Sequence, residues 1–273
     1  MGDTRPFWTK PAHQGQPGEQ GQPGRRSRPG RGRRYLKRAA VTLATLIILL
    51  GLAAGALWLI TPSAGEATQL AAAQAAQHGI AYPGPVVPEN FSRPLIATED
   101  HRFYSEPGVD PLAVARVVEA QVTGGADQGG ATLEQQLAKL LYTPDETGFS
   151  AEVKQVVLAV KLNAAYSKQQ ILDLYAEAAY YGNGYYGLQQ ASCGYFGHPA
   201  ADLTVTQGAM LAGVVNAPSV DDPVSDPGNA RTRLEHVIGR MVAVGYLSAA
   251  QAKQALAAPL GLTGAASGTP AGC

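Results

Sequence analysis

Apolar and polar positions change their spacing abruptly along the 273 residues of the chain. Residues 1 to 34 carry almost no apolar period; Gly, Pro, Gln and Arg dominate, and such a stretch cannot bury enough surface to fold. Ala39 to Ile60, AAVTLATLIILLGLAAGALWLI, is the opposite case, 22 residues without a charge. At about 1.5 Å per residue it reaches roughly 33 Å, enough to cross a bilayer core. Glu66 to His78 then reads as a short Ala-rich helix. Gly79 to Glu89, broken by three prolines, reads as an extended stem.

From Phe91 onward the helical period returns repeatedly, each time behind a start signal. Thr132 with Gln135, Ser167 with Gln170, Thr204 with Gln207 and Ser248 with Gln251 have the form of capping boxes. Asp110 with Pro111 opens LAVARVVEAQV, which stops at Gly124 and Gly125; Ser150 is placed to cap AEVKQVVLAVKLNAAY, and Asp226 with Pro227 opens a further helix. No stretch sustains period-two alternation. The predicted class is all-α, roughly eight helices in one domain, preceded by one transmembrane helix.

Charge adds an orientation to this picture. The formal net charge is zero, yet residues 1–38 carry ten Lys or Arg against two Asp or Glu, and residues 61–273 carry eleven against nineteen. Arg25, Arg26, Arg28, Arg31, Arg33, Arg34, Lys37 and Arg38 stand directly before the apolar run, a pattern that keeps the N-terminus cytoplasmic and sends the remainder outside. The run is too long for a signal-peptide core, so an uncleaved anchor in the cell membrane is expected, although Thr61 to Gly65 has the small residues of a cleavage site. A basic block against an apolar span serves orientation and lipid contact, and no nucleic-acid partner is expected. Cys193 and Cys273 both fall on the external side, where either a disulfide or two free thiols are open. The five histidines lack metal-ligand spacing.

Three stretches carry candidate chemistry. ATEDHRFYSEPGVD, residues 97–110, sets Glu99 between an apolar run (Pro94, Leu95, Ile96, Ala97) and Phe103 with Tyr104. Apolar neighbours desolvate a carboxylate, raise its pKa and make it a candidate proton acceptor; the bland alternative is the wet side of a helix. GGATLEQQLAK, residues 129–139, places a Gly-rich turn before a helix N-terminus, whose unpaired N–H groups suit an anion, or it is a plain helix start. YYGNGYYG, residues 180–187, combines four tyrosines with three glycines, a composition fit for a carbohydrate or membrane-interface surface, or for loop packing.

These stretches, together with ILDLYAEAAYYGNGYYG, YFGHPAADLT and AMLAGVVNAPS, follow the order and spacing of the peptidoglycan glycosyltransferases, glycosyltransferase family 51. The segment from about Phe91 to Ser219 resembles monofunctional transglycosylases and the N-terminal domain of bifunctional penicillin-binding proteins. The resemblance implies a lysozyme-like α-helical domain on the outer face of the membrane. It implies joining of lipid-linked disaccharide-pentapeptide into glycan strands, with inversion and release of polyprenyl diphosphate. It makes Glu99 the catalytic base, taking the proton of a sugar 4-hydroxyl as that oxygen attacks the anomeric carbon. It assigns substrate binding to Asp100, Phe103, Gly129, Thr132, Gln135, Gln136, Lys139, Lys154, Tyr175, Gly182 and Asn183. Together with the composition, the expected organisation is a disordered basic tail (1–38), an anchor (39–60), a stem (61–90), the transglycosylase-like domain (91–256) and a loose tail (257–273). No transpeptidase fits in what remains, so a monofunctional form is expected.

The chain departs from that family at several motif positions. Glu106 stands for a histidine, Ala131 for a serine, Glu177 for an asparagine, and a proline is missing near Val215. The family's Arg-Lys-x-x-Glu aligns with Ala151, Glu152, Val153, Lys154 and Gln155, so both cations and the second glutamate are replaced. Two lost charge-assisted contacts, each about 1.5–3 kcal/mol, cost about two to four powers of ten in rate unless Lys154, three residues on, reaches the same phosphate. Three functions therefore stand: an active polymerase, a catalytically impaired relative that binds lipid-linked precursor or a cell-wall partner, and a lysozyme-like hydrolase, which the anchor and motifs oppose. The implied partners are the precursor, the membrane and other proteins of cell-wall synthesis; the cofactor left open is a divalent cation with the diphosphate.

Overall fold

The computed structural model describes residues 31–110, 130–263 and 273. The chain divides into two compact units, Met1–Leu52 and Ala53–Cys273. α1, Arg31–Ile60, supplies the described part of the first unit and continues into the second. It contains the one helix, among the described residues, long and apolar enough to cross a membrane. Leu46, Ile47, Leu50 and Leu52 are all exposed on it, so its apolar surface is not used to build a protein core.

In the second unit come α2 (Ala67–Gln77), α3 (Glu89–Glu99), α4 (Leu133–Tyr142), α5 (Phe149–Ala165), α6 (Lys168–Ala178) and α7 (Leu188–Phe196). α8 (Val205–Val214), α9 (Pro227–Ala243) and α10 (Ala249–Ala257) follow, and short 3₁₀ turns lie at Ala64–Glu66, Phe103–Ser105 and Ala200–Asp202. Among the described residues there is no strand, only an isolated bridge between Tyr180 and Tyr186. The all-α class holds.

Local chemistry explains most of the helix starts. Thr132, Ser167, Thr204 and Ser248 each accept the backbone N–H three residues on and complete reciprocal capping boxes, which satisfies donors a helix N-terminus leaves unpaired. Asp226 likewise accepts from the Asn229 N–H ahead of Pro227. One start is corrected: α5 begins at Phe149 behind Gly148 (φ 85°) with no side-chain cap, and Ser150 lies inside the helix. The helix expected after Asp110 and Pro111 lies outside the described residues. α7 also begins without a side-chain cap, behind Gly187, and so offers no start signal in the sequence.

α3 runs through the middle of this unit, packed on α8 and α9 on one side, while α4 is packed on α5 and α6. α8 passes close enough to α3 that a Cβ on Gly208 would lie 1.8 Å from the Asn90 carbonyl oxygen. Any side chain there drives the two helices apart. Trp58 O of α1 converges with Thr61 on Lys161, whose Nζ lies 2.7 Å from Trp58 O and from Thr61 Oγ1, and 5.1 Å from the Trp58 ring. A cation at a helix C-terminus complements the helix dipole.

The stem residues before α3 are fixed to α6: Asp173 accepts the Val87 N–H at 2.9 Å, and Glu177 accepts the Gly84 N–H. Burial, then the charge of Asp173, pushes the Glu177 carboxyl up to about 7. The C-terminal segment, expected to be loose, is tied down where it is described. Gln207 donates to Leu260 O at 3.0 Å, Thr263 N–H donates to Tyr195 O at 2.9 Å, and Cys193 is disulfide-bonded to Cys273.

Candidate active site

Glu99 is the last residue of α3, where the helix ends and its side chain meets three other elements. Asn216, in the turn after α8, donates to both carboxylate oxygens at 3.2 and 3.1 Å. Gln136 from α4 lies 3.4 Å from Oε2, and the Arg233 guanidinium from α9 lies 3.0 Å from Oε1. The apolar surroundings expected from the neighbouring sequence are thus corrected: α3 ends pointing its carboxylate into a ring of N–H donors. Tyr175 supports that ring from α6 by donating to Gln136 Oε1 at 2.9 Å. Burial first, then the charge of Glu99, raises the Tyr175 hydroxyl above its usual range, which keeps it a donor.

Glu99 lines a cleft of about 1090 Å³. Of the residues expected in the site, Gln135, Gln136, Lys139 and Tyr175 line it too. Its other lining includes Leu57, Leu140, Phe149, Val153 and Val156, so apolar side chains share the cleft with Glu99, Gln136, Lys139, Glu152 and Gln155. Phe149 is 82% exposed, a large ring held in the open. Among the described lining residues Lys139 is the one Lys or Arg, against Glu99, Asp110 and Glu152.

The other expected site residues are placed elsewhere. Asp100 is buried and points away from the cleft, accepting the Leu133 N–H at 3.1 Å. Thr132 is the N-cap of α4 and donates to Gly108 O at 2.8 Å. The N-terminus of α4, read as open to an anion, is therefore already occupied: its first N–H meets Asp100 and its third meets Thr132. Phe103 is fully buried beneath Lys168, whose Nζ lies 4.5 Å from the ring centre. Lys154 does not reach the cleft wall. It pairs instead with Glu146 at 2.7 Å, and both side chains are exposed. Gly129 lies outside the described residues.

Gly182 (φ 82°) and Asn183 (φ 49°) form the tight turn of the tyrosine-rich loop. Asn183 donates to Asp222 Oδ1 at 3.1 Å. Tyr181 and Tyr185 are buried, Tyr186 stacks on His78 at 3.4 Å, and Tyr180 lines the cleft. Three of the four rings therefore serve packing rather than a flat sugar-binding surface.

Behind the wall, Asp100 shares its surroundings with Glu106 and Glu134, both buried. Lys168 lies 2.6 Å from Glu134 Oε1 and donates to Glu106 O at 2.8 Å, while Arg102 pairs with Glu106 at 2.7 Å and with Asp110. Glu106 Oε2 and Glu134 Oε2 have no hydrogen-bond partner among the described residues. Burial, reinforced by Glu106 and Glu134 and opposed by the Leu133 N–H, pushes the Asp100 carboxyl up to about 6.

At the third motif Ala151 is buried, Glu152 faces the cleft, and Gln155 donates to Thr143 Oγ1 at 3.0 Å. Among the described residues no three of His, Cys, Asp or Glu converge on one point, and Gln155 brings an amide rather than a carboxylate.

Arg233 and Asn216 complete the site without having been singled out in the sequence. Asn216 sits in AMLAGVVNAPS, where the motif itself marked the position. Arg233 falls on an amphipathic helix and carries no local signal.

Residues 66–242 match the family model described as transglycosylase. The chain is 38% identical over 177 residues to penicillin-binding protein 1F of Bacillus subtilis, an alignment that covers 64% of this chain and 25% of that one. It is 34% identical to a Cupriavidus necator protein whose name places it among transglycosylases, covering 64% of this chain and 76% of that one. A shorter stretch aligns with the crystal structure of penicillin-binding protein 1A from Haemophilus influenzae at 32% identity and a TM-score of 0.34, covering 35% and 14% of the two chains. The chain thus spans a quarter of the B. subtilis protein. With the model match extending from the start of α2 almost to the end of α9, the chain belongs to the transglycosylase family and has its lysozyme-like all-α fold.

Proposed function

We propose that the protein is a membrane-anchored peptidoglycan glycosyltransferase that polymerises lipid-linked disaccharide-pentapeptide into glycan strands and releases polyprenyl diphosphate. The observation that carries this reading is the mixed lining of one cleft: an acid ringed by donors, together with Leu57, Leu140, Phe149, Val153 and Val156. An amphiphilic substrate with a sugar at one end and a polyprenyl chain at the other suits that mixture. The apolar α1 behind a Lys/Arg-rich segment supports a single-pass anchor with a cytoplasmic N-terminus and the domain on the outer face.

In this reading Glu99 accepts the proton of the acceptor sugar's 4-hydroxyl while the oxygen bonds to the donor's anomeric carbon. The bond from that carbon to the diphosphate breaks, and its electron pair leaves with the diphosphate. Attack from the opposite face inverts the centre, and no covalent enzyme intermediate is required. Asn216, Gln136 and Arg233 hold the carboxylate in place, with Tyr175 fixing Gln136. Lys139 supplies the positive charge for the diphosphate. Behind the wall Asp100 fixes the end of α3 to the start of α4, Thr132 fixes that start to Gly108 in the loop after α3, and Phe103 packs beneath Lys168.

The decisive experiment incubates the full chain in detergent with lipid-linked disaccharide-pentapeptide and looks for polymer. Polymer from the wild type and none from Glu99→Gln is expected. Absence of polymer under conditions that support an active relative overturns catalysis. It then leaves the second reading, a precursor-binding relative, which the acid at Glu152 and the alanine at Ala151 favour. Measurable precursor affinity in that inactive chain is its own test.

A further inference from the structure

Glu99 is not the only acid that Arg233 serves. The same guanidinium places Nη2 at 3.0 Å from Glu99 Oε1 and Nε at 3.8 Å from Asp221 Oδ2, with Nε also 3.3 Å from Gly213 O. The three side chains are 10%, 14% and 19% exposed for Glu99, Asp221 and Arg233. One cation thus lies between two carboxylates, all three side chains largely covered by protein. Asp221 belongs to the same turn as Asn216, and its N–H donates to Ala217 O at 2.9 Å. That turn therefore brings both an amide to Glu99 and a carboxylate to the cation that holds Glu99.

The arrangement has a consequence for proton transfer. When Glu99 takes the substrate's proton it becomes neutral, and a guanidinium shielded from water loses the partner that compensated it. A buried cation without a counter-charge is strongly disfavoured. A second carboxylate already beside the guanidinium removes that penalty. We propose that Asp221 is a positioning residue for the reaction, holding Arg233 while Glu99 is protonated and yielding it back when Glu99 gives the proton to water. Asp221 makes no bond to substrate and gains no proton; the only bonds exchanged are those of the glycosyl transfer already described. This inference rests on the proposed role of Glu99 as base.

The other titratable and charged groups around the trio differ in their alignment. Tyr175 of α6 reaches Glu99 only through Gln136, and Lys139 and Glu152 line the cleft. Asp222, next in sequence, is turned away to Asn183 and to the N–H groups of Val224 and Ser225. Among the described residues Asp221 is the acid within reach of Arg233 besides Glu99.

The test compares wild type, Asp221→Asn and Asp221→Glu in the full chain, in polymerisation of the lipid-linked precursor across pH. Asparagine preserves shape but removes the second charge, so Arg233 is left wholly to Glu99 and favours its ionised form. Asp221→Asn is expected to lower kcat about three- to tenfold with KM unchanged, and to move the acid limb of the kcat profile about one unit toward lower pH. Asp221→Glu restores the rate and the limb. An unchanged acid limb in Asp221→Asn, whatever its kcat, overturns the proposal, because a merely structural role lowers kcat without moving the limb. Carbon-13 NMR titration of the Glu99 carboxyl in wild type and Asp221→Asn separates this from the functional reading. If the wild type makes no polymer, that reading falls, while a titration midpoint lowered by Asp221→Asn sustains the coupling and an unmoved midpoint refutes it.

Discussion

At Glu99 three nitrogens from α4, α9 and the turn after α8 converge on two carboxylate oxygens that still line a cleft. One residue further along the chain, Asp100 is turned into the protein beside Glu106 and Glu134, where two carboxylate oxygens have no hydrogen-bond partner among the described residues. The end of α3 separates these settings, since a backbone leaving a helix sends successive side chains in divergent directions. The difference teaches that the acid reached from the cleft is gripped by nitrogens of three elements. Glu106 and Glu134 do structural work: Lys168 of α6 joins Glu134 of α4 to the Glu106 carbonyl, and Arg102 closes on the Glu106 carboxylate within the loop after α3.

The sharpest break of this contrast is Glu99→Gln. It keeps the shape of the side chain and removes the proton acceptor, so the polymerisation rate is expected to fall about 10²- to 10⁴-fold, with the thermal midpoint nearly unchanged. A rate within tenfold of wild type removes Glu99 from the role of base. On the other side, Lys168→Ala leaves Glu134, which is wholly buried, without its cation. Stability in urea is expected to drop by about 3–5 kcal/mol, and Lys168→Ala with Glu134→Gln is expected to recover part of it.

Asp100→Asn tests the buried side through pH. The folded protein pushes that carboxyl from 3.8 up to about 6, so it binds the proton more tightly than the unfolded chain does. Its favourable contribution is complete below the lower value and is lost as pH rises through the upper one. Asp100→Asn is therefore expected to stabilise the protein by up to about 3 kcal/mol above pH 6, with the gain shrinking toward pH 4, measured as thermal midpoints across pH. The smallest expected effect belongs to the cleft: Lys139→Ala is expected to slow polymerisation about 10- to 150-fold, the value of one charge-assisted contact, with folding intact. A loss no greater than that of an exposed lysine elsewhere removes Lys139 from diphosphate binding.

How much of this was legible in the sequence followed from the distance over which each signal acts. The capping boxes at Thr132, Ser167, Thr204 and Ser248 span three residues, and the sequence reading and the structure agree on all four. Gln135, Gln136 and Lys139 reach the cleft together because one helix face carries them there. The companions of Glu99 lie 117 and 134 residues away at Asn216 and Arg233. The packing of α8 and α9 on α3 joins them, and no local pattern encodes that. The filled N-terminus of α4 was hidden in the same way, since Asp100 comes from 33 residues upstream of Leu133. Lys154 was misread because the carboxylate that captures it, Glu146, sits in the loop before its helix.

α6 carries Asp173 and Glu177 on one face and Tyr175 on the other, the first two gripping the stem backbone and the third gripping Gln136. A displacement of the stem is thus carried into the same helix that braces the carboxylate of Glu99. α6 is the mechanical member that links the two.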